Sequence, residues 1–439
     1  MPTKLQIFFS IIFVCAIIHT FLTSTFYSLH EKYKKKTSKD LEKRKRYRLL
    51  SEVYYFLSEV ELVFGFWIVP LIVGLLFTSE IDQTILYLRT RDYTYAIYMT
   101  VVVVFASTRP VVIFAEKVLE YISRLGGNNA KSWWWTILTV GPILDIILKE
   151  PGAMTISSIL LAKTCFPFIK DTKFRYATLA LLFINISLCG LLAPYTSRSL
   201  FLVATQENWN TGYTIVRFGW KAIMILLINN SLYYYFFKKH FAKDSSSIAV
   251  LLAKEQKESP PLWLTMIHLL FLAGIVLSSE YPPIFLGIFF LFLGVHKATS
   301  HYQGREQGPL NLKPAIFVGF FFASLLIHGE LQSWWAVRFL QNIGFAQGLL
   351  ISTLLSSVVD NAVVLYFLDQ IKPLSEAALY AIVVGALSSG GLTLMANAPN
   401  LIGYSNLRVF FGGKISLVAL FLAALPLTLI SLFVFWLFI

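Results

Sequence analysis

The chain is dominated by long apolar runs, broken at a few places only by polar residues that a bilayer interior does not tolerate without a partner. An α-helix needs about 20 apolar residues to cross the hydrocarbon core. The sequence offers such runs at Leu5–Leu29, Glu52–Thr78, Tyr93–Glu116, Phe174–Ala204, Gly212–Phe237, Pro261–Ser279, Pro282–His296, Pro314–Val337, Ser375–Leu407 and Ile415–Phe438. At 439 residues, 56% hydrophobic and 14% charged, the chain has too little polar surface to cover a water-soluble globule. A cytosolic enzyme, a disordered chain, collagen and a disulfide scaffold are excluded together. The net charge of +13 reads as basic loops held at the cytoplasmic face, so no nucleic-acid partner is expected. Cys15, Cys165 and Cys189 form no CxxC pair and read as small core residues. Leu5–Leu29 reads as a retained span and not a cleaved signal, because Glu31–Arg48 carries ten Lys or Arg against three acids and resists translocation.

These runs predict an all-α polytopic membrane protein with ten crossings. Two further apolar stretches, Trp133–Lys163 and Phe345–Leu368, are broken near the middle by Lys149-Glu150-Pro151-Gly152 and by Asp360-Asn361. Irregular backbone at membrane depth is tolerated only where protein or a water-filled cavity satisfies it, so both predict re-entrant hairpins. Phe174–Ala204 and Ser375–Leu407 are long and interrupted by Gly, Asn and Pro, and predict broken helices. With both termini outside, most Lys and Arg fall in cytoplasmic segments. Residues 1–238 then hold a first unit with a cytoplasm-facing hairpin at 133–163 and a broken helix at 174–204. A basic cytoplasmic linker covers 239–260. Residues 261–439 repeat the order, with an outward-facing hairpin at 345–368 and a broken helix at 375–407. Five crossings per unit invert the second against the first, which is the architecture of secondary carriers.

Ionisable residues inside such a chain are functional candidates by default. Asp360 and Asn361 place a carboxylate and an amide at a hairpin turn, offering oxygen ligands to a hard cation and an acceptor to a proton; a helix N-cap is the plainer reading. Glu150 holds the matching place in the first hairpin, with Pro151 suited to the first helical position. Asp145 lies nearby, and Lys149 is expected to pair with it or to snorkel. In the second broken helix Thr393, Asn397 and Asn400 offer oxygens beside a Gly390-Gly391 pair; the first supplies Asn185, Ser187 and Arg198. Glu59, Glu61, Arg109, Arg217, Lys221 and Glu330 are expected to form internal ion pairs. No HExxH, GxSxG, Walker A or GxGxxG motif occurs, so neither an enzyme nor a cofactor is expected.

Taken jointly, Ser357 to Ala362, Gly390 to Asn400 and Glu150 to Thr155 resemble the signatures of a bacterial family of sodium/proton antiporters. That family is similar in outline to the sodium/proton antiporter and arsenite permease branch of the ion transporter superfamily. Glu59 to Gly65, Ala106 to Pro110 and Lys313 through Trp335 extend the resemblance to roughly residues 50–410. It implies an inner-membrane carrier of sodium and protons, with a scaffold that dimerises and a moving domain that holds both hairpins and both broken helices. By that analogy Asp360, Asn361, Asn397 and Asn400, with Thr393, line one site, and sodium is expected at Asp360, Asn361 and Asn397. Glu150, Thr155, Asn185 and Ser187 line the other. This chain departs from the family pattern at Cys189, Leu191 and Thr196 to Ser199, at Asp145 where a small residue is usual, and at Glu330 where glycine is usual. Arg198 is therefore expected either to point into the first-half site as a fixed cation or to pair with Asp145 or Glu150. A sodium-coupled anion carrier is the alternative, disfavoured by carboxylates at both hairpin tips; a non-transporting scaffold is a remoter one.

Overall fold

The computed structural model of the chain describes residues 3–36, 40–78, 80–241, 260–299, 309–310, 312–340, 343–366 and 374–439. Most of the linker expected at 239–260 and the last two residues of the second hairpin lie outside these, as does the side chain of Glu61. The described residues are helical, with no strand among them. The first half runs α1 (Lys4–Lys34), α2 (Leu41–Ser58), α3 (Val60–Thr78), α4 (Ile81–Arg89), α5 (Thr94–Ala106), α6 (Arg109–Arg124), α7 (Ala130–Ile143), α8 (Asp145–Thr164), α9 (Thr172–Cys189), α10 (Arg198–Gln206) and α11 (Thr211–His240). The second runs α12 (Leu262–Leu277), α13 (Pro282–Ala298), α14 (Leu312–Glu330), α15 (Ser333–Leu340), α16 (Phe345–Val358), α17 (Asn361–Tyr366), α18 (Glu376–Ser388), α19 (Asn400–Leu407) and α20 (Leu417–Leu437).

Three helices are long and apolar enough to cross a membrane alone: Lys4–Thr23 within α1, α11 and α20. Counting each bent pair as one span gives five among the described residues. Two of the runs read as single spans are such pairs. Glu52–Thr78 falls on α2 and α3, which meet at 94°, and Tyr93–Glu116 on α5 and α6, which meet at 71°. At the first bend the Glu59 backbone is extended (φ −77°, ψ 104°), and its carboxylate accepts from Arg408 Nη1 at 2.8 Å. At the second, Thr108 is extended (φ −64°, ψ 139°) and Pro110 opens the next helix, where its missing N–H has no intrahelical acceptor to lose.

The elements around the hairpins appear twice in the same order. α7 packs on α8, the interrupted pair α9 and α10 follows, and α11 closes the unit; α16 and α17, then α18 and α19, then α20 repeat it. Local signals set these starts. Asn129 and Ser132 form a reciprocal capping box at α7, and Ser197 and Ser375 cap α10 and α18 by accepting from Leu200 and Ala378 N–H. Packing is exchanged between the units: α19 lies on α8, and α10 lies on α17. α20 packs on α9, while α14 packs mainly on α3 and α5.

The non-helical segment between α18 and α19 crosses α9 at backbone distance. A Cβ at Gly391 would stand 2.2 Å from Ile184 Cγ1 and 2.9 Å from the Ile184 backbone nitrogen. Neither neighbour can retreat without moving α9. Gly391→Ala should therefore destabilise the protein by about 1–3 kcal/mol, the usual cost of overpacking, read as a lowered unfolding temperature in detergent; an unchanged temperature would mean that the crossing is looser than described.

Candidate ion-binding site

Asp360 sits in the break between α16 and α17, where Val359 is extended (φ −128°, ψ 142°). It is 1% exposed. Oδ1 accepts the N–H of Ala362 at 2.8 Å, an N-cap bond to its own helix, and Oδ2 accepts the N–H of Ala398 at 2.7 Å from the interruption of the other helix. Asn361 N–H donates to Ala396 O at 3.1 Å, which closes a second stitch between the same two segments. Thr393 and Asn400 satisfy the unwound backbone. Thr393 Oγ1 donates to Ser357 O at 2.7 Å and accepts from the N–H groups of Met395 and Ala396 at 3.2 Å. Asn400 Nδ2 donates to Gly390 O at 2.5 Å and Thr393 O at 2.9 Å.

Glu150 is brought to the same place from the first hairpin. Lys149 before it adopts a left-handed φ of 57°, which breaks α8 and aims the following residue inward. Glu150 is 1% exposed; Oε1 accepts from Asn397 Nδ2 at 3.4 Å, and the Tyr95 hydroxyl lies beside the carboxylate. Its approach needs Gly190, whose Cβ would lie 2.9 Å from Glu150 Oε1. The two carboxylates are anchored on neighbouring residues, Asp360 on the Ala398 N–H and Glu150 on the Asn397 amide, and neither forms an ion pair with a Lys or Arg among the described residues. Ser199 Oγ donates to Asn361 Oδ1 at 2.5 Å, joining α10 to α17. Among the described residues the buried atoms Asn361 Nδ2 and Asn400 Oδ1 have no partner.

The structure thus groups Asp360, Asn361 and Asn397 with Glu150, a residue the sequence assigned to a separate site. Asn400 and Thr393 lie in the adjoining loop. The other first-half candidates make no hydrogen bond to Glu150. Thr155 Oγ1 donates to Pro151 O at 2.6 Å within its own helix, and Asn185 Nδ2 donates to Leu138 O and Asn230 Oδ1, both at 2.9 Å, in the seam with α7 and α11. Ser187 Oγ donates to Leu387 O at 2.7 Å and ties α9 to α18. No group of three or more His, Cys, Asp or Glu stands close enough to hold a metal among the described residues.

Of the two readings of Lys149, pairing with Asp145 is not found: Lys149 reaches outward to Glu280 at 3.1 Å. The pairing expected of Arg198 is corrected. Arg198 neither enters the first-half site nor pairs with Asp145 or Glu150: its guanidinium meets Asp92 at 2.5 Å and lies 5.5 Å from the Tyr95 ring centre. Both cations reach outward to carboxylates nearer the surface, where their hydration is partly kept. Partial burial pushes the Asp92 carboxyl up, but the hydrogen bond and charge of Arg198 outweigh it and hold Asp92 below its ordinary range. Of the other expected ion pairs, Glu59–Arg408, Glu330–Arg91 and Arg217–Glu376 (3.7 Å) form, whereas Lys221 donates to the Tyr380 hydroxyl at 2.8 Å.

A cavity of about 140 Å³ opens beside the site, lined by Asp92, Arg198, Glu330 and the two residues that follow Asn361, Ala362 and Val363. It runs from partly exposed charges to the first turn of the Asp360 helix. Tyr95, Ser199 and Asp92 are site residues that sequence reasoning missed. Ser199 stood in a conspicuously polar run, Thr196 to Ser199; Tyr95, an aromatic residue in an apolar helix, carried no signal.

The fold and site together define an all-helical membrane protein in which two buried carboxylates meet at the crossing of two interrupted helices. The chain belongs to the family described as "Putative Na+/H+ antiporter", whose model matches residues 4–438. Among curated proteins none matches the chain.

Replacing Asp360 by Asn sets an amide NH2 against the N–H of Ala362 or Ala398, a donor facing a donor. The variant should lose about 1–3 kcal/mol of stability, the cost of leaving a buried group unsatisfied, seen as a lower unfolding temperature that Asp360→Glu does not reproduce by the same donor clash.

Proposed function

We propose that the protein is a secondary carrier that exchanges sodium, or a similar monovalent cation, for protons by alternating access. Asp360 and Glu150 bind either cation or proton, with Asn361 and Asn397 supplying further oxygens to the cation. The observation that carries this reading is the convergence of two buried carboxylates, with no ion-paired base, on one point fed by backbone dipoles from two broken helices. Two like charges so placed strongly disfavour being ionised and empty together. A proton or a small cation relieves the repulsion, and the two compete for the same oxygens. An anion would meet carboxylates instead of the donors it needs.

In this reading the two units are inverted repeats with ten crossings, supported by the repeated element order and by charge placement. α7 to α10 and α16 to α19 form the moving domain, and the helices around α3, α5 and α14 form the scaffold, through which two copies pair. The chain lies in the inner membrane of a bacterium with both termini outside. The cavity lined by Asp92, Arg198 and Glu330 is the route by which ions reach Asp360 from one face.

Reconstitution in liposomes holding a pH-sensitive dye tests the proposal. Added sodium or lithium should drive proton movement that Glu150→Gln and Asp360→Asn, each shown to be folded, abolish. Because protons compete for the carboxylate, lowering the pH should weaken apparent sodium affinity, by about tenfold per unit for one competing proton once the site is mostly protonated. Folded protein that moves no protons with any monovalent cation, yet takes up an organic or inorganic anion with sodium, would replace this reading by the anion carrier.

A further inference from the structure

Asp145 has no place in the site described above, yet its setting is more extreme. It opens α8 with 0% exposure, and neither carboxylate oxygen has a hydrogen-bond partner among the described residues. The cation nearest in sequence, Lys149 of its own helix, is committed to Glu280 at 3.1 Å. The titratable groups that act on it are Glu150 on α8 and Cys189 on α9, neither of which brings positive charge. The neighbouring wall is apolar: Cys189, Leu192 and Leu226 pack with Ile143, two residues before Asp145. A carboxylate in such a place lacks both protein compensations a low-dielectric interior demands, hydrogen bonds and counter-charge.

We infer that Asp145 is a further proton-carrying carboxyl of the first hairpin, protonated in the conformation described here, which releases its proton when the hairpin opens to water and so adds one proton to each exchange. The step is a simple transfer. The O–H bond of the Asp145 carboxyl breaks with its electron pair left on the oxygen, the proton passes to water on the open face or to an ionised Glu150, and the arriving cation offsets the charge left behind. Four residues, Ile146 to the left-handed Lys149, separate the two carboxyls in the chain, so both are carried by the same hairpin. This inference rests on the antiport reading and deepens it. It gives the exchange a stoichiometry in which protons exceed cations, and hence a dependence on membrane potential.

The test counts protons. Purified full-length protein in weakly buffered detergent, given saturating sodium, should release one proton fewer per bound sodium in Asp145→Asn than in the unaltered protein. In liposomes the same variant should lose the response of exchange to an imposed potential. Asn reproduces the shape of the neutral acid, so its unfolding temperature should hold. An equal proton count and an equal response to potential in the two proteins would overturn the inference. Infrared spectroscopy keeps it testable if Asp145→Asn does not fold: in Glu150→Gln/Asp360→Asn protein, the carbonyl stretch of a protonated carboxylic acid should persist and shift on ¹³C-aspartate labelling, and its absence would overturn the inference equally. If the unaltered protein exchanges no cation at all, the antiport reading fails, while the infrared band still decides whether Asp145 carries a proton.

Discussion

One carboxylate shared between two backbone N–H groups holds the centre of this protein together. Helices interrupted at membrane depth leave donors and acceptors that lipid cannot satisfy, and Asp360 takes one donor from each of two interruptions, Ala362 and Ala398. Thr393 and Asn400 take up further groups of the same loop through their side chains. In the first unit Thr196 Oγ1 donates to the carbonyls of Gly190 and Ala193, both at 2.6 Å, and Ser197 caps the helix that follows. The polar residues at the crossing thus do structural work that any ligand site there must share. Asp360 is both cap and candidate ligand because a carboxylate with two oxygens retains lone pairs after accepting two N–H bonds.

The exchange of packing between units explains why the two carboxylates meet. α19 lies on α8 and α10 lies on α17, so each interrupted helix sends its second arm to the other unit's hairpin. Asn397 then reaches Glu150, and Ser199 reaches Asn361. Asn406 Nδ2 adds a bond to Ser158 Oγ at 2.8 Å along the same α19–α8 contact. A motion that shifts one hairpin must therefore carry both interruptions with it. The charged pairs Arg198–Asp92 and Arg91–Glu330 lie at the edge of this body, where partial exposure makes breaking and remaking them less costly than inside it.

Much of this was legible before any coordinates, because interruptions in apolar runs are conspicuous. Lys149-Glu150-Pro151-Gly152 and Asp360-Asn361 marked the two hairpin breaks, Gly, Asn and Pro marked the interruptions within Phe174–Ala204 and Ser375–Leu407, and the helical backbone is interrupted at each. Less legible was whatever depends on partners distant in sequence. The sharp bend after Ser58 has no breaker in the run; Glu59 is drawn aside by Arg408. Lys149 and Arg198 stood next to plausible acids in the chain, yet Glu280 and Asp92 hold them, since adjacency in sequence says little about which carboxylate a side chain reaches. The family resemblance placed Thr155 in a site, and its hydroxyl turns back to its own helix at Pro151 O, as Thr commonly does within helices.

The two carboxylates at the crossing are held with unequal firmness, and this has mechanical meaning. Asp360 accepts two short bonds from backbone N–H groups, at 2.8 and 2.7 Å, which cannot move without moving two segments of chain. Glu150 is held by a side chain only, Asn397 at 3.4 Å, and not by backbone N–H groups. Glu150 also stands on a left-handed residue, a backbone state that a non-glycine side chain occupies at a cost and leaves readily when its surroundings change. Of the two carboxylates, Asp360 is therefore the more firmly fixed by the backbone, and Glu150 is the one whose placement depends on a side-chain bond and a strained residue.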